Sequence, residues 1–242
     1  ELGLHLFSGG RFGFSGFSSL GGTTNLSTYI PIIEQELQKF NLVTYSLSAP
    51  FPTQGQIPYE KDNWASTEIC YLVADIEDST SNGEISFPRS KKIRKTLREV
   101  KSLGFSCRLA NSEVELNEWY HCCHLARIKE LNGQKWDYSL MKNLFTNGSG
   151  QLVIAVDKSG KIFGGCFVLR SDIILELFMM STPEENLRIG INYLITEYLY
   201  LYAQSKKIEF VNWQASNPPN GSIASFKKKW NAKEKRFFIY SK

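Results

Sequence analysis

Side chains that could do chemistry gather near the carboxyl-terminal end of the chain. A strand predicted over residues 208–214 ends in Asn212, Trp213 and Gln214, and a helix predicted over residues 222–230 carries Lys227. Polar groups at the carboxyl ends of strands in α/β sheets commonly bind ligands. Amides there can bind hydroxyl or amide groups, and an ammonium can meet a phosphate or a developing negative charge. The simpler alternatives are a solvated lysine cluster and amides that cap the adjoining loop.

The period of a strand divides these residues between two faces. Asn212 and Gln214 are two residues apart, so they share one face, and Trp213 takes the other. A second candidate, Glu176, stands among Ile174, Leu175, Leu177 and Phe178 in another predicted strand. An apolar setting raises the pKa of a carboxyl group toward neutrality, which would suit proton transfer. A partner for a nearby lysine and a solvent-facing edge position are the alternatives.

The cysteines and histidines give little support for a metal site. His121-Cys122-Cys123-His124 lies within a predicted helix, where neighbouring side chains point about 100° apart, and no second ligand pair with zinc spacing follows. Ordinary helix packing is the preferred interpretation, and no metal is expected. The five cysteines are an odd number without regular spacing, as in a reduced, cytoplasmic protein.

Length and composition indicate a globular protein. The 242 residues, 42% of them hydrophobic, are enough for one large domain or two small ones. No apolar run approaches the roughly 20 residues that a membrane span needs. The first residues show no signal peptide, and the absent initiator Met suggests a fragment.

The net charge of +4 is modest, but basic residues are concentrated in two segments. Residues 89–101 and 227–242 each contain seven basic residues and one acidic residue. Such patches can attract a nucleotide, a pyrophosphate or a tRNA. A solvated helix face is the alternative, and it is preferred for the first segment.

The predicted elements fall into two parts. Residues 1–86 contain a helix over 27–40 and strands over 42–47 and 69–74, and an acidic, Ser-rich linker over 75–86 ends this part. Residues 87–242 are more regular: the basic helix 89–103 stops at Gly104, and a capping box at Ser112 and Glu115 opens a helix that runs to Leu131. A helix over 138–145, an antiparallel three-strand meander over 152–180 and a helix over 183–204 precede the segments described above. The sequence predicts an α/β (α+β) fold with a mixed, mostly antiparallel sheet flanked by helices.

Three stretches carry a resemblance to a known family. They are the basic helix from Arg89 to Lys95, the hairpin from Asp157 to Gly165, and Asn212-Trp213-Gln214-Ala215-Ser216 followed by Phe226-Lys227-x-x-Trp230-Asn231-Ala232. Together they resemble the GNAT superfamily of N-acyltransferases, in its Fem-type (FemABX-like) branch. The resemblance covers residues 89–242, whereas residues 1–86 resemble only a shortened GNAT-like half. Asn231 replaces the usual glycine, and the long coiled-coil insertion of some tRNA-dependent members is absent.

The resemblance implies a cytoplasmic N-acyltransferase that acts in cell-envelope biogenesis, on peptidoglycan or polysaccharide. The donor would be acyl-CoA or, as second choice, aminoacyl-tRNA, and the acceptor an amine of an envelope precursor or a nucleotide sugar. Lys227 would be the cation that stabilises substrate or transition state, and Glu176 the base that deprotonates the amine. Asn212, Gln214 and Trp213 would bind substrate.

Two further sets of residues extend the predicted site. Asn186 to Asn192 occupies the place of the pyrophosphate loop, where backbone N–H groups at a helix start suit a phosphate. Only Arg188 and Gly190 match its pattern, in the wrong spacing. Trp136, with its neighbours Lys135 and Tyr138, would line an acceptor cleft or form a satellite core.

Two other functions stay open from the sequence. The poor pyrophosphate loop and the shortened first half also suit a non-catalytic GNAT-fold binding protein that has lost its donor site. The basic segments suit a general nucleic-acid binder, which would show a steep salt dependence of RNA affinity. The sequence does not fix the oligomeric state.

Overall fold

The computed structural model describes residues 4–7, 35, 42–48, 65–77, 80–81, 84–85, 90–133, 135–170, 172–215 and 221–241. The strands are β1 Leu4–Phe7, β2 Leu42–Ser48, β3 Ala65–Asp75, β4 Thr80–Ser81, β5 Glu84–Ile85, β6 Ser106–Leu109, β7 Gly150–Val156, β8 Ile162–Arg170, β9 Ile174–Ser181, β10 Phe210–Ala215 and β11 Lys233–Ser241. The helices are α1 Lys91–Ser102, α2 Glu113–Trp119, α3 Leu125–Glu130, α4 Tyr138–Thr146, α5 Glu184–Ile189, α6 Ile191–Ser205 and α7 Ser222–Lys228, with a π-helical turn at Tyr120–His124. Of the helix predicted over 27–40, only Gln35 is described, and it is helical.

The chain divides into two compact units, residues 1–71 with 235–242, and residues 72–234. In the first, β1 is parallel to β2, and β11 is antiparallel to β2. The predicted domains, 1–86 and 87–242, stay a prediction. The predicted linker contains a short antiparallel pair, β4 and β5.

The second unit is built on a mixed sheet in the order β3, β10, β9, β8, β7, β6. Strands β6, β7, β8 and β9 pair antiparallel with one another, whereas β9 and β10 are parallel because the helices α5 and α6 cross over between them. Such a crossover must return the chain in the same direction along the sheet. The predicted mixed, mostly antiparallel α/β fold is confirmed.

Helix α1 forms where apolar residues recur on one face of a basic segment. Ile93, Leu97 and Val100 are buried, and the remaining face carries the lysines and arginines. The helix ends as predicted, since Gly104 adopts φ +90° and its N–H donates to the carbonyl of Lys101 at 3.0 Å. Val100 packs against the start of α6, so the basic helix lies against the crossover.

The helix predicted from Ser112 to Leu131 is interrupted. The Ser112 hydroxyl caps its start by accepting from the N–H of Glu115 at 3.4 Å, and Asn132 ends it at φ +49°. Between them, the π turn shifts the helical phase and buries His124 completely. The apolar spacing alone did not indicate this turn, because Trp119 just before it and Tyr120 and Cys123 within it are all buried.

Glycines let β8 pack closely on both faces. A Cβ atom on Gly164 would overlap the Thr182 side chain, and one on Gly165 would lie 2.7 Å from Trp119 Nε1. The close approach at this pair is therefore made by protein side chains. The ladder also shifts register between Ala155 and Val156, opposite these glycines, as at a β-bulge.

The crossover contains two helices where one was predicted over 183–204. Gly190 adopts φ +98° and separates α5 from α6. A Cβ atom at Gly190 would overlap Thr96 of α1. Close packing of α1 on this junction explains why the chain bends there.

Candidate functional site

A cavity of about 430 Å³ opens where β9 and β10 separate. Their described pairing ends at Asn212 opposite Glu176, although β9 continues to Ser181 and β10 to Ala215. The cavity lies beyond this pair, at the carboxyl ends of both strands. Its walls come from β9, β10 and the helices around them: Arg127, Leu131, Leu177, Phe178, Met180, Thr182, Leu187, Asn192, Trp213, Gln214, Ser222, Ile223, Phe226 and Lys227.

Lys227 reaches this cavity from α7. Ala224 and Lys227 are the buried residues of the helix, one turn apart on its inner face. The ammonium donates to the carbonyl oxygens of Trp213, at 2.6 Å, and Gln214, at 3.2 Å. Burial lowers the pKa of Lys227 from 10.5 to about 8. The side chain is therefore mostly cationic at neutral pH and is held against the end of β10, as the sequence predicted.

Glu176 and the two amides form a hydrogen-bonded group beside the cavity. The side chain of Gln214 donates to the carboxyl group of Glu176, and the N–H of Gln214 donates to Asn212 Oδ1 at 3.0 Å. Burial raises the pKa of Glu176, and the bond from Gln214 partly offsets this. Gln214 also lines the cavity, whereas Asn212 and Glu176 do not. The structure thus brings the three residues together, but only Gln214 faces the space where a ligand would sit.

Trp213 connects the strand end to the helix that follows. Its Nε1 donates to the hydroxyl of Tyr200 at 3.0 Å, and that hydroxyl donates to the carbonyl of Trp230. Trp213 also lines the cavity, so it is not confined to the opposite face from Gln214. The backbone at Gln214 has φ +64° and leaves the extended conformation. Strict alternation therefore fails at the last residues of β10.

The predicted pyrophosphate residues are placed differently. Arg188 has 82% of its side chain exposed and pairs with Glu184 at 3.5 Å, and it does not line the cavity. Gly190 packs against α1 through Thr96. The N–H of Glu184, at the start of α5, donates to both carboxylate oxygens of Glu130, at 3.0 and 3.1 Å. The carboxylate of Glu130 thus accepts the hydrogen bond from the Glu184 N–H, a donor that a phosphate bound here would need.

Trp136 lies next to the cavity wall. Its ring contacts Phe178 with a centroid distance of 5.3 Å, and its carbonyl accepts from the Tyr120 hydroxyl. Phe178 lines the cavity, but Trp136 does not. Trp136 packs on the cluster around Trp119 and Met141, and its role in substrate binding stays a prediction.

Several residues of the site had no signal in the sequence. Arg127 of α3 lines the cavity and donates to Glu130 at 2.9 Å, and Thr182 and Asn192 line it from the crossover. The oxygen atoms Thr182 Oγ1 and Asn192 Oδ1 are buried without a hydrogen-bond partner. Of the cavity-lining residues that the structure describes, two are cationic and none is acidic. The cavity is therefore suited to a neutral or anionic ligand.

The histidine and cysteine motif lies within the π turn. His124 Nδ1 lies 3.0 Å from Ser181 Oγ, while Cys122 is exposed and Cys123 is buried. Burial lowers the pKa of His124 to about 4. Within the described residues, no group of three or more His, Cys, Asp or Glu side chains is placed to hold a metal ion. No helix in the same part of the chain is both long and apolar enough to cross a membrane.

No protein-family model matches the sequence. No curated protein matches it either. Solved structures do match: FemX aligns with a TM-score of 0.65 at 9% identity, over 88% of this chain and 76% of FemX. The C-terminal domain of a putative lysylphosphatidylglycerol synthetase from Agrobacterium fabrum aligns with a TM-score of 0.64 at 9% identity, over 87% of this chain and 72% of that one.

A third solved structure shares the same fold. A GCN5-related glucosamine N-acetyltransferase region of a fungal multi-domain β-N-acetylglucosaminidase aligns with a TM-score of 0.51 at 11% identity, over 88% of this chain and 27% of that one. This chain has a GNAT-like fold of the Fem type. The separated parallel strands β9 and β10 and the cavity between them belong to this GNAT-like sheet. The resemblance predicted from the three sequence stretches is thereby confirmed at the level of fold.

Proposed function

We propose that this protein is an N-acyltransferase in which Lys227 stabilises the negative charge that develops on the carbonyl oxygen of the donor. The observation that carries the proposal is the buried ammonium at the cavity wall, held by the carbonyls of Trp213 and Gln214. A cation fixed before the reaction needs little reorganisation when charge develops, and removing such a donor typically costs about 100-fold or more in rate. The names of the structural neighbours, which include an N-acetyltransferase, support a transferase.

The proposed reaction is amide formation. The nitrogen of an uncharged amine attacks the donor carbonyl carbon, and a C–N bond forms while the C–O or C–S bond to the carrier breaks. The proton lost by the amine ends on the departing hydroxyl or thiol group of the carrier. Lys227 faces the oxyanion in this scheme and keeps its own proton.

The donor in this proposal is an aminoacyl ester on tRNA or an acyl-CoA. Arg188 is exposed, and the carboxylate of Glu130 accepts from the backbone N–H at the start of α5. Both observations favour the aminoacyl ester on tRNA, because it needs no pyrophosphate site at this helix. The acceptor is the amine of a cell-envelope precursor or a nucleotide sugar, in keeping with the FemX neighbour and a cytoplasmic protein. A cavity lined by Arg127 and Lys227 suits ligands that carry negative charge.

A product assay tests the proposal. The purified chain is incubated with each donor, aminoacyl-tRNA or acyl-CoA, together with nucleotide-sugar amines, and products are analysed by mass spectrometry. We expect an amide product from at least one pair and a higher melting temperature with the matching donor. No product and no thermal shift with any pair would reject the enzyme.

The alternative is a non-catalytic binding protein with the same fold. The occupied N–H of Glu184 and the misplaced Arg188 favour it, because they leave the predicted pyrophosphate site incomplete. This alternative predicts a thermal shift with a nucleotide sugar or another anionic ligand, without any amide product. A thermal shift combined with turnover would exclude it.

A further inference from the structure

Gln214 adopts a backbone conformation that is unfavourable for residues other than glycine. Its φ of +64° lies in the left-handed region, where the Cβ atom of a residue other than glycine crowds the following carbonyl oxygen. Three hydrogen bonds hold it there. Its N–H donates to Asn212 Oδ1 at 3.0 Å, its side-chain amide donates to Glu176, and its carbonyl accepts from Lys227 at 3.2 Å. Side chains from β9, β10 and α7 thus converge on one turn.

Glu176 lies on the strand side of this turn and does not face the cavity. It is opposite Asn212 in the parallel pairing of β9 and β10, at the last described pair before the strands separate. It is 9% exposed and does not line the cavity. Its carboxyl group therefore reaches the Gln214 side chain, which lines the cavity in its place.

We infer that Glu176 is a positioning residue, which holds Gln214 in its left-handed turn and thereby fixes the two carbonyls that place the ammonium of Lys227. The inference rests on the proposed function of Lys227, and it replaces the proton-transfer role predicted for Glu176 from the sequence. Without Glu176, the side chain of Gln214 loses its acceptor and the unfavourable turn relaxes toward an extended backbone. The carbonyls of Trp213 and Gln214 then rotate away from Lys227.

The protonation of Lys227 tests this inference without any substrate. The protein is produced with ¹³C-labelled lysine, the Lys227 ¹³Cε signal is assigned by its loss in K227R, and its titration is followed by NMR. In the wild type, we expect the pKa of Lys227 to lie well below those of the exposed lysines. In E176A, the opened turn admits water and the pKa rises by about one unit or more toward those values. E176Q, whose amide oxygen can still accept from Gln214, stays near the wild type.

A matched control removes a carboxylate elsewhere. Glu197 pairs with Lys101 at 2.6 Å and does not line the cavity, so E197A should leave the titration of Lys227 unchanged. An unchanged titration in E176A as well would overturn the inference.

The kcat values of Glu176 variants distinguish a positioning role from a role in proton transfer. As a positioning residue, Glu176 affects kcat through Lys227, so E176A should lower kcat roughly tenfold to a hundredfold. E176Q should stay within about threefold of the wild type, because an amide keeps the hydrogen bond but cannot take a proton. If E176Q loses as much rate as E176A while Lys227 titrates normally, Glu176 is a base and the inference is wrong. If no variant or wild-type protein turns over any substrate, the proposed function fails while the titration still decides the inference.

A second test, in which E176A is combined with Q214G, applies if E176A alone folds poorly. Glycine adopts a positive φ without strain, so Q214G should keep the turn without needing the bond to Glu176. In Q214G, the further change E176A should then leave the titration of Lys227 unchanged, although the same change shifts it in the parent. Equal shifts in both backgrounds would show that Glu176 acts on Lys227 by another route.

Discussion

The Nζ atom of Lys227 lies 2.6 Å from the carbonyl oxygen of Trp213. The two residues belong to α7 and β10, so one buried hydrogen bond joins the strand end to the helix that follows it. Because the acceptor is a backbone carbonyl, the position of the ammonium depends on the path of the chain at the end of β10. The pair therefore connects the proposed chemistry to the fold, and the predictions below test both.

Burial of Lys227 should appear in the pH dependence of stability. Its pKa is about 8 in the folded chain and close to 10.5 when unfolded, so the unfolded chain binds more protons between these values. The free energy of unfolding therefore gains a contribution as pH rises from 8 to 10.5, by at most on the order of 3 kcal/mol. Urea unfolding of wild type and K227M, measured at pH 7.5, 9 and 10.5, isolates this contribution as a difference. If the free energies of unfolding of the two proteins change equally with pH, the ammonium is not buried.

His124 should destabilise the fold in acid. Its pKa is about 4 in the folded chain, below its ordinary value of 6.5, because the ring is buried. The unfolded chain therefore binds more protons between pH 4 and 6.5, and stability is lost as pH falls through this window. We expect H124N to weaken this acid sensitivity, whereas the exposed His121 should not matter in H121N. Equal acid unfolding midpoints for wild type and H124N would show that His124 is not the responsible group.

The junction of α5 and α6 should be intolerant of a side chain. Gly190 has φ +98° and its Cβ position overlaps Thr96, whereas Gly148 has φ +78° with open space around it. G148A therefore measures the cost of the backbone alone, and G190A should cost roughly 1–3 kcal/mol more because of overpacking. Replacing Thr96 by serine removes the overlapping methyl group and should restore part of the loss. Chemical denaturation of the wild type, G148A, G190A and the double variant T96S/G190A measures this, and equal losses in G148A and G190A would rule out the clash.

Glu130 should oppose binding of a pyrophosphate at α5. The N–H of Glu184 and then the guanidinium of Arg127 hold the pKa of Glu130 below its usual range, so a full negative charge sits at this helix start. Calorimetry should show weak binding of coenzyme A to the wild type and about fivefold tighter binding to E130A. Glu113, which pairs with Lys142 elsewhere, supplies the control E113A. Tight binding of coenzyme A to the wild type would point back to acyl-CoA as the donor.

Much of the second unit could be predicted because its elements are marked by local rules. Gly104, Ser112 and Asn132 are signals that act through their own backbone or cap, and they end or begin helices where expected. The strand and helix around Lys227 also follow from apolar spacing. The order of these elements, together with the three stretches that resemble the GNAT superfamily, indicated a GNAT-like fold.

The details that the sequence did not reveal depend on contacts between distant residues. Gly190 splits a helix because Thr96 of α1 packs on it, and the left-handed turn at Gln214 exists because Glu176 and Lys227 bond to it. Arg127 lines the site from α3, which follows the π turn that no periodicity indicated.

Turnover of K227A measures whether Lys227 stabilises the oxyanion. Using the donor and acceptor pair that gives the highest wild-type rate, we expect kcat to fall about 100-fold or more in K227A, because the oxyanion loses its fixed cation. Lys229 is exposed on the same segment, and K229A should retain the wild-type rate within about twofold, as surface charges contribute little. Thermal unfolding with and without donor shows whether K227A still folds and binds. A folded K227A protein that turns over at the wild-type rate would show that Lys227 does not stabilise the oxyanion.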